Sequence, residues 1–369
     1  MNAPHRSPSK PRAHGQVVLV LQGGGALGAY QVGVFQALHE AGIEPDWVIG
    51  TSIGAINAAI IAGNPPEKRV ERLDAFWERV RHHSALHSSL HTLSFGIPGF
   101  FSPRLLGWAG IHAPLGVDAA SWYSTEPLRE TLASLVDFDC LNSRRMRLTV
   151  GAVSVRSGAM RYFDSREQPL GIEHVMASGA LPPAFPAIRV NGEPYWDGGI
   201  YSNTPLEAVL DDMPRRDSLV FAVNVWQPVG PEPETIWQAM GRQKDIQYAS
   251  RADSHILRQK QIHRLRHVIR ELAKSLPAAK AASPEIRELA SWGCGTTIHV
   301  VRLLAPRLDG EDHTKDIDFS PGGIGARRQA GYAATREMLQ RSPWDAPVDP
   351  IEGVIVHQLD APTEPVSTT

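Results

Sequence analysis

The sequence predicts an α/β fold with a mostly parallel central sheet. Two apolar runs, 17–21 and 47–51, each end in a glycine-bearing turn and lead into a helix-like stretch, the strand, turn, helix, strand order that builds such sheets. The 369 residues are 42% hydrophobic, which supplies ample core for one large domain or two modest ones. Only Cys140 and Cys294 are present, so no disulfide framework is implied, and a reducing, cytoplasmic location fits. A formal charge of −2 carries no basic excess, and no nucleic-acid partner is expected. No apolar run approaches the ~18 residues of a spanning helix, so membrane contact is expected to be peripheral, at the inner face.

Taken in order, residues 1–15 are polar and read as a disordered tail. The run 17–21 is a buried first strand. A helix over 29–41 follows, with Val32, Phe35 and Leu38 on one face and Gly42 ending it. Strand two then feeds Gly50-Thr51-Ser52-Ile53-Gly54 and a helix of small residues. This G-x-S-x-G pattern is a nucleophile elbow, a turn so sharp that a Cβ two residues before or after the serine would strike backbone. The hydroxyl is pushed out of the fold, and the Ile53 N–H opens a helix whose unpaired donors favour a developing oxyanion. In a chain with 32 glycines the pattern says little alone; its place between strand and helix gives it weight.

The loop 22–28 after strand one supports two readings. Gly23, Gly25 and Gly28 match the dinucleotide pattern G-x-G-x-x-G, and Glu44 or Asp46 lies near the distance where an acid would meet a ribose. However, Asp46 precedes the second strand instead of ending it, and that strand ends in Ser52. In the other reading the glycines form an oxyanion hole, because backbone amides without a Cβ can approach a tetrahedral oxyanion. Gly24 and Gly25, with Ile53, would be the donors. Both loops would then lie side by side at the C-terminal edge of the sheet, where open α/β sheets bind ligands.

Residues 65–80 read as a charged helix with Leu73, Phe76, Trp77 and Val80 inward. The pattern dissolves over 84–123, which is rich in Gly, Pro, Ser and the aromatics Phe95, Phe100, Phe101, Trp108, Trp122 and Tyr123. This stretch reads either as an apolar cap over an acyl-chain groove or as an insertion packing its own small core. Thr125 can cap a helix over 126–135. A strand over 147–155 turns back into 160–163, a short helix over 172–180 is stopped by Pro182 and Pro183, and a hairpin over 188–196 delivers Asp197-Gly198-Gly199. A brief helix over 206–210 and a buried strand over 219–225 follow. An aspartate can serve as base to a serine if it bonds the hydroxyl directly and is desolvated enough to raise its pKa. Fifteen histidines keep a Ser-His-Asp triad in play. His174 is the nearest in sequence to Asp197, with no motif around it, and reads more simply as a helix-face histidine.

Four motifs now stand in order: Gly23 to Gly28, G-x-S-x-G, Ala177-Ser178-Gly179-Ala180-Leu181-Pro182 leading to Phe185-Pro186, and Asp197-Gly198-Gly199. Together, over residues 17–225, they resemble the patatin-like phospholipase family. The resemblance implies a three-layer α/β/α fold and a Ser-Asp dyad, with Ser52 as nucleophile and Asp197 as general base, cleaving ester bonds of acylated lipids through an acyl-enzyme. Gly23, Gly24, Gly25, Gly28 and Ile53 would then meet the substrate oxyanion, while Gly50, Gly54, Gly198 and Gly199 shape the turns. No clustered His/Cys/Asp/Glu spacing suggests a metal, and no cofactor is expected. The chain departs from the family at Leu27, where many members carry Arg or Lys. A related acyltransferase usually has a histidine beside the elbow serine, where this chain has Thr51; that activity and an inert lipid-binding scaffold are the alternatives.

A long helix is expected over 235–276, with Leu265, Val268, Ile269, Leu272 and Leu276 at helical spacing. Its other faces carry Arg251, Arg258, Lys260, Arg264, Arg266, Arg270 and Lys274, which read either as a surface for anionic lipid or as the solvated outside of a packed helix. A strand over 296–304 and a last helix over 324–339, capped by Ser320, complete the pattern. The segment 315–320 resembles part of an uncharacterised extension in some bacterial patatin-like proteins, a likeness that assigns no activity. Within it Asp316 and Asp318 read as cation ligands or as surface carboxylates. The expected division is a tail over 1–15, a catalytic domain over 16–230, a helical C-terminal extension over 231–345 packed on it, and a loose tail over 346–369.

Overall fold

Along the first strand, Val17, Leu19 and Leu21 enter one apolar cluster while Val18 and Val20 enter another. A strand buried on both faces belongs inside a sheet covered on two sides. The computed structural model, which describes residues 14–81, 92, 94–104, 112–308 and 311–359, has that architecture. The first half of the chain forms β1 (Gln16–Leu21), α1 (Ala29–Glu40), β2 (Trp47–Thr51), α2 (Ile53–Ala62), α3 (Arg69–Val80), α4 (Glu126–Leu135), β3 (Arg147–Ser154), β4 (Met160–Asp164) and α5 (Ile172–Ser178). The second half forms β5 (Ile188–Val190), β6 (Glu193–Asp197), α6 (Glu207–Leu210), β7 (Ser218–Asn224), α7 (Ile236–Ser275), β8 (Ile298–Leu304), α8 (Pro321–Arg341) and β9 (Val354–Gln358).

Strands β9, β8, β7, β1, β2 and β3 lie in that order, and every adjacent pair is parallel. The short strands β4, β5 and β6 pair antiparallel at the far side. Helices α1 to α5 and α8 pack on one face, and α6 with the middle of α7 on the other. This is the three-layer α/β/α arrangement with a mostly parallel sheet that the sequence predicts.

The register along β3 decides where two distant segments meet. β4 lines residues 149–153 of β3, so β2 and β6 must both use the opposite edge. β2 runs along that edge until Thr51 stands opposite Gly151, and β6 arrives from the other end with Asp197 opposite Ala152. The two strands therefore meet end to end. Ser52 follows Thr51 by one residue, so its side chain and that of Asp197 share one small volume.

Beyond residue 230 the chain adds β8 and β9 to the same sheet and lays α8 on α1, where Arg328 bonds Gln36 (2.9 Å) and Asp74 (2.7 Å). Two expectations are corrected here. Val354–Gln358, expected in a loose tail, is the edge strand β9, in register with β8 from Ile298↔Val354 to Arg302↔Gln358. Its β-branched run Val354-Ile355-Val356 is a strand signal that the expectation of a loose tail passed over. In α7, Leu265 and Leu272 do not face inward; they are 63% and 61% exposed, whereas Ile256, Gln259, His263 and His267 are buried. The inward stripe of α7 meets polar groups: Gln259 donates to Asp211 (2.7 Å), and the two His267 ring nitrogens each lie 2.9 Å from a carbonyl oxygen, of Pro350 and Thr296. Apolar spacing therefore pointed to the wrong face. Trp108 and the chain ends 1–13 and 360–369 lie outside the described residues.

Candidate active site

Ser52 forms the turn between β2 and α2 with φ 57° and ψ −127°, a backbone state that costs a residue with a side chain on the order of 1–3 kcal/mol and must be imposed by its surroundings. Its N–H donates to the backbone and hydroxyl oxygens of Ser178, 3.1 Å each, and the Ser178 hydroxyl donates to the Gly151 carbonyl at 2.6 Å. A Cβ on Gly50 would lie 2.3 Å from the Gly54 carbonyl oxygen, and one on Gly54 2.2 Å from that of Leu21. Both glycines are required by this backbone approach.

Asp197 ends β6 and is 1% exposed. Its N–H donates to the Ala180 carbonyl (3.0 Å), and its Oδ1 accepts from the Gly199 amide (2.7 Å). The Ser52 hydroxyl interacts with the same carboxylate and pulls its pKa down. Gly198 lies against the Gly151 carbonyl. Burial pushes the Asp197 pKa up to about 7, against smaller downward pulls from Ser52 and the Gly199 amide. A carboxyl poised near neutrality, in contact with a hydroxyl, can accept that hydroxyl's proton.

Beside this pair, the amides of Gly24, Gly25 and Ile53 meet no acceptor among the described residues. The Gly23 amide, expected among the donors, is instead taken by the Asn203 carbonyl at 3.2 Å. Gly28 abuts the Ile53 side chain, so Gly23 and Gly28 shape the loop. Gly25 has φ +54°, and a Cβ there would lie 2.2 Å from the Asp316 carbonyl oxygen. Leu27 is buried in a crevice it shares with Tyr30, Val225 and Lys315.

Several residues that hold the loop carry no motif. Trp226 Nε1 (2.8 Å) and Asn203 Nδ2 (3.0 Å) both donate to the Gly23 carbonyl. Asn57 Nδ2 donates to the Gly28 carbonyl (3.1 Å) and to Gln31 Oε1 (2.8 Å), while Gln31 Nε2 donates to the Gln22 carbonyl (2.6 Å). A signal did exist: Gln31 and Asn57 are single amides in otherwise apolar runs, and buried amides need partners. Tyr248 packs on Trp226 with ring centroids 4.9 Å apart. Its phenol is pushed up to about 12 by burial, then by the Asp197 and Asp316 carboxylates.

Other candidates fall away. His174 accepts from the Gly171 amide (2.9 Å) and stands edge-on to Phe163, and Asp197 holds the position beside Ser52 that a triad histidine would need. Asp316 pairs with Lys244, and Asp318 with Arg327. Phe101 and Tyr123 belong to the main core, packed with Phe185, whereas Phe95 is 69% exposed.

Comparison with known proteins gives the family. A family model described as patatin-like phospholipase matches residues 19–210, and a second, described as patatin phospholipase, matches residues 246–351. Lysophospholipase NTE1 of Candida glabrata is 30% identical over 212 residues, covering 57% of this chain and 10% of its own length. A patatin-like phospholipase domain-containing protein of Caenorhabditis elegans is 37% identical over 99 residues, covering 24% of this chain and 7% of its own. Lysophospholipase nte1 of Aspergillus terreus is 63% identical over 46 residues, covering 12% and 3%. The chain therefore spans no more than a tenth of these three relatives. The solved structure of VipD from Legionella pneumophila, 15% identical, covers 89% of this chain and 67% of its own with a TM-score of 0.38, too distant a likeness to add to the argument. With the first family model matching more than half of its residues, the chain belongs to the patatin-like phospholipase family.

Proposed function

We propose that the protein is a serine hydrolase of carboxylic esters in lipids, of the phospholipase A or lysophospholipase type. The observation that carries this is Ser52, held at a strained elbow beside a buried Asp197 that has no cation partner among the described residues, next to three amides that meet no acceptor there. Ser52 Oγ attacks the acyl carbonyl carbon while Asp197 takes its proton, and the amides of Gly24, Gly25 and Ile53 hold the oxyanion. The C–O bond to the alcohol breaks as Asp197 returns the proton to the leaving oxygen. Water then adds to the acyl-enzyme with Asp197 again as base, releasing the fatty acid and restoring Ser52. The names of the relatives, lysophospholipases among them, favour a lipid ester over a small soluble one.

A fluorophosphonate probe should label the wild type and fail to label Ser52→Ala. Incubation with a lipid extract, read by mass spectrometry, should release free fatty acid. Transfer of the acyl group to an alcohol or lysolipid in place of water would make the protein a transacylase. A folded protein that neither labels nor turns over would be a lipid-binding scaffold, and the hydrolase reading would fall.

We also propose peripheral contact with anionic membrane through α7. Leu257, Leu265 and Leu272 are exposed and fall within about a quarter-turn of one another at 3.6 residues per turn. Arg258 and Arg264 lie close by on the helix. Vesicle binding that is indifferent to anionic lipid and to salt would remove this proposal. No described helix is long and apolar enough to cross a membrane.

A further inference from the structure

We propose that the segment 312–319, from the C-terminal part of the chain, is a clamp that holds the glycine loop in its oxyanion-binding shape, with Lys315 as its chief positioning residue. The proposal rests on the hydrolase reading above. The middle of the loop touches the segment's backbone directly: the Asp316 carbonyl oxygen occupies the space a Gly25 Cβ would need. Both ends of the loop are gripped by side chains on which the segment rests.

At the first end, Lys315 is only 7% exposed although it is a cation. Its Nζ lies 2.7 Å from Asp245 Oδ1 on α7 and 5.4 Å from the centre of the Trp226 ring. Trp226 is the side chain whose N–H bonds the Gly23 carbonyl. A buried Lys–Asp pair adds little net stability once desolvation is counted, so its presence is better explained by the position it enforces. At the other end, Phe319 stacks on Trp77 with centroids 6.1 Å apart and planes 20° apart. Trp77 Nε1 donates to Asn57 Oδ1 (3.1 Å), and Asn57 in turn holds the Gly28 carbonyl. Lys244, from α7, ties the segment from outside through Asp316 at 2.8 Å. Oxyanion donors act only when already aimed at the developing charge, so a loosened loop should slow the chemical step while leaving acyl binding almost untouched.

The test uses the full-length chain with Lys315→Met, Trp226→Phe and the double variant. It reads turnover of a soluble short-chain p-nitrophenyl ester and deuterium uptake over residues 22–28. Lys315→Met should lower kcat on the order of tenfold to a hundredfold, with KM nearly unchanged. Uptake should rise over 22–28 and stay level over β7. The double variant should be no worse than the poorer single one, because both act through Gly23. Unchanged kcat with unchanged uptake overturns the clamp, and so does additive loss with uptake raised throughout the protein. If Lys315→Met does not fold, Phe319→Leu probes the other end, where the same local rise in uptake and loss of kcat is expected and wild-type behaviour overturns the proposal. Should the wild type show no Ser52-dependent turnover, the hydrolase reading fails, and the uptake measurement still decides whether the segment holds the loop.

Discussion

At the start of β3, the Arg147 guanidinium lies 3.5 Å over the Trp47 ring and pairs with Asp164 (2.7 Å) and Asp212 (3.0 Å), while Arg166 adds a second pair to Asp212 (2.7 Å). At the other end of the same strand, the partners of Asp197 among the described residues are a hydroxyl and an amide. All three carboxylates are largely withdrawn from water. Burial pushes Asp212 up, but the two guanidiniums outweigh it and hold the group below the usual carboxylate range. At Asp197 nothing outweighs burial, and the pKa rises to about 7. The difference teaches that burial alone does not make an aspartate a base; burial without a cation does.

The largest effect is expected at the unpaired end. Ser52→Ala should lower kcat/KM for ester hydrolysis by roughly four orders of magnitude or more, with the fold retained by circular dichroism. A smaller loss would mean that the chemistry lies elsewhere. At the paired end, Arg147→Met leaves the buried Asp164 without its cation and Asp212 with Arg166 alone, and should cost about 3–5 kcal/mol in urea unfolding, while activity per folded molecule stays near wild type. If activity collapsed with stability unchanged, the two ends of β3 would not be separable as described. Gly25→Ala, which forces a Cβ onto the Asp316 carbonyl at positive φ, should lower kcat by roughly 10²–10³, as removing an oxyanion donor does, with little change in KM.

The acid limb of kcat/KM should have its midpoint at about 7 and fall about tenfold per pH unit below it, because Asp197 must be ionised to accept a proton. A midpoint near pH 4 would contradict the raised pKa. The smallest effect is on stability. The folded pKa of Asp197 lies above the ordinary value of 3.8, so between these two values the folded state holds a proton that the unfolded chain releases. The stability contributed by this site is full below about pH 4 and is lost as pH rises through about 7. Asp197→Asn, which cannot ionise, should therefore be more stable than wild type at pH 8 by on the order of 2 kcal/mol, and the gap should close towards pH 4.

Much of this site was legible because its parts are locally encoded. The strand-to-turn pattern pointed to Ser52, and the family resemblance carried by the motifs together pointed to Asp197 as its partner. The helix expected over 235–276 is present at Ile236–Ser275, and its Thr235–Gln238 capping box is seen in the structure. What escaped were features whose meaning depends on a neighbour. The burial of His267 depends on backbone that α7 meets at 296 and 350, and that of His263 on Leu210 and Gly353. Strand β9 is recognisable only once β8 lies beside it. Gly23 looked like a donor until Asn203 took its amide.

The sharp turn at residues 50–54 and the glycines at 23–25 follow from steric rules that act within a few bonds, so the chain's own order of residues was enough to find them. That Ser52 and Asp197 come side by side, that no guanidinium pairs with Asp197 among the described residues, and that the Asp316 carbonyl abuts Gly25 depend on non-local contacts. β2 and β6 had to meet end to end along one edge of β3. Desolvation and hydrogen bonding are properties of the assembled surroundings, and those surroundings come from segments far apart along the chain.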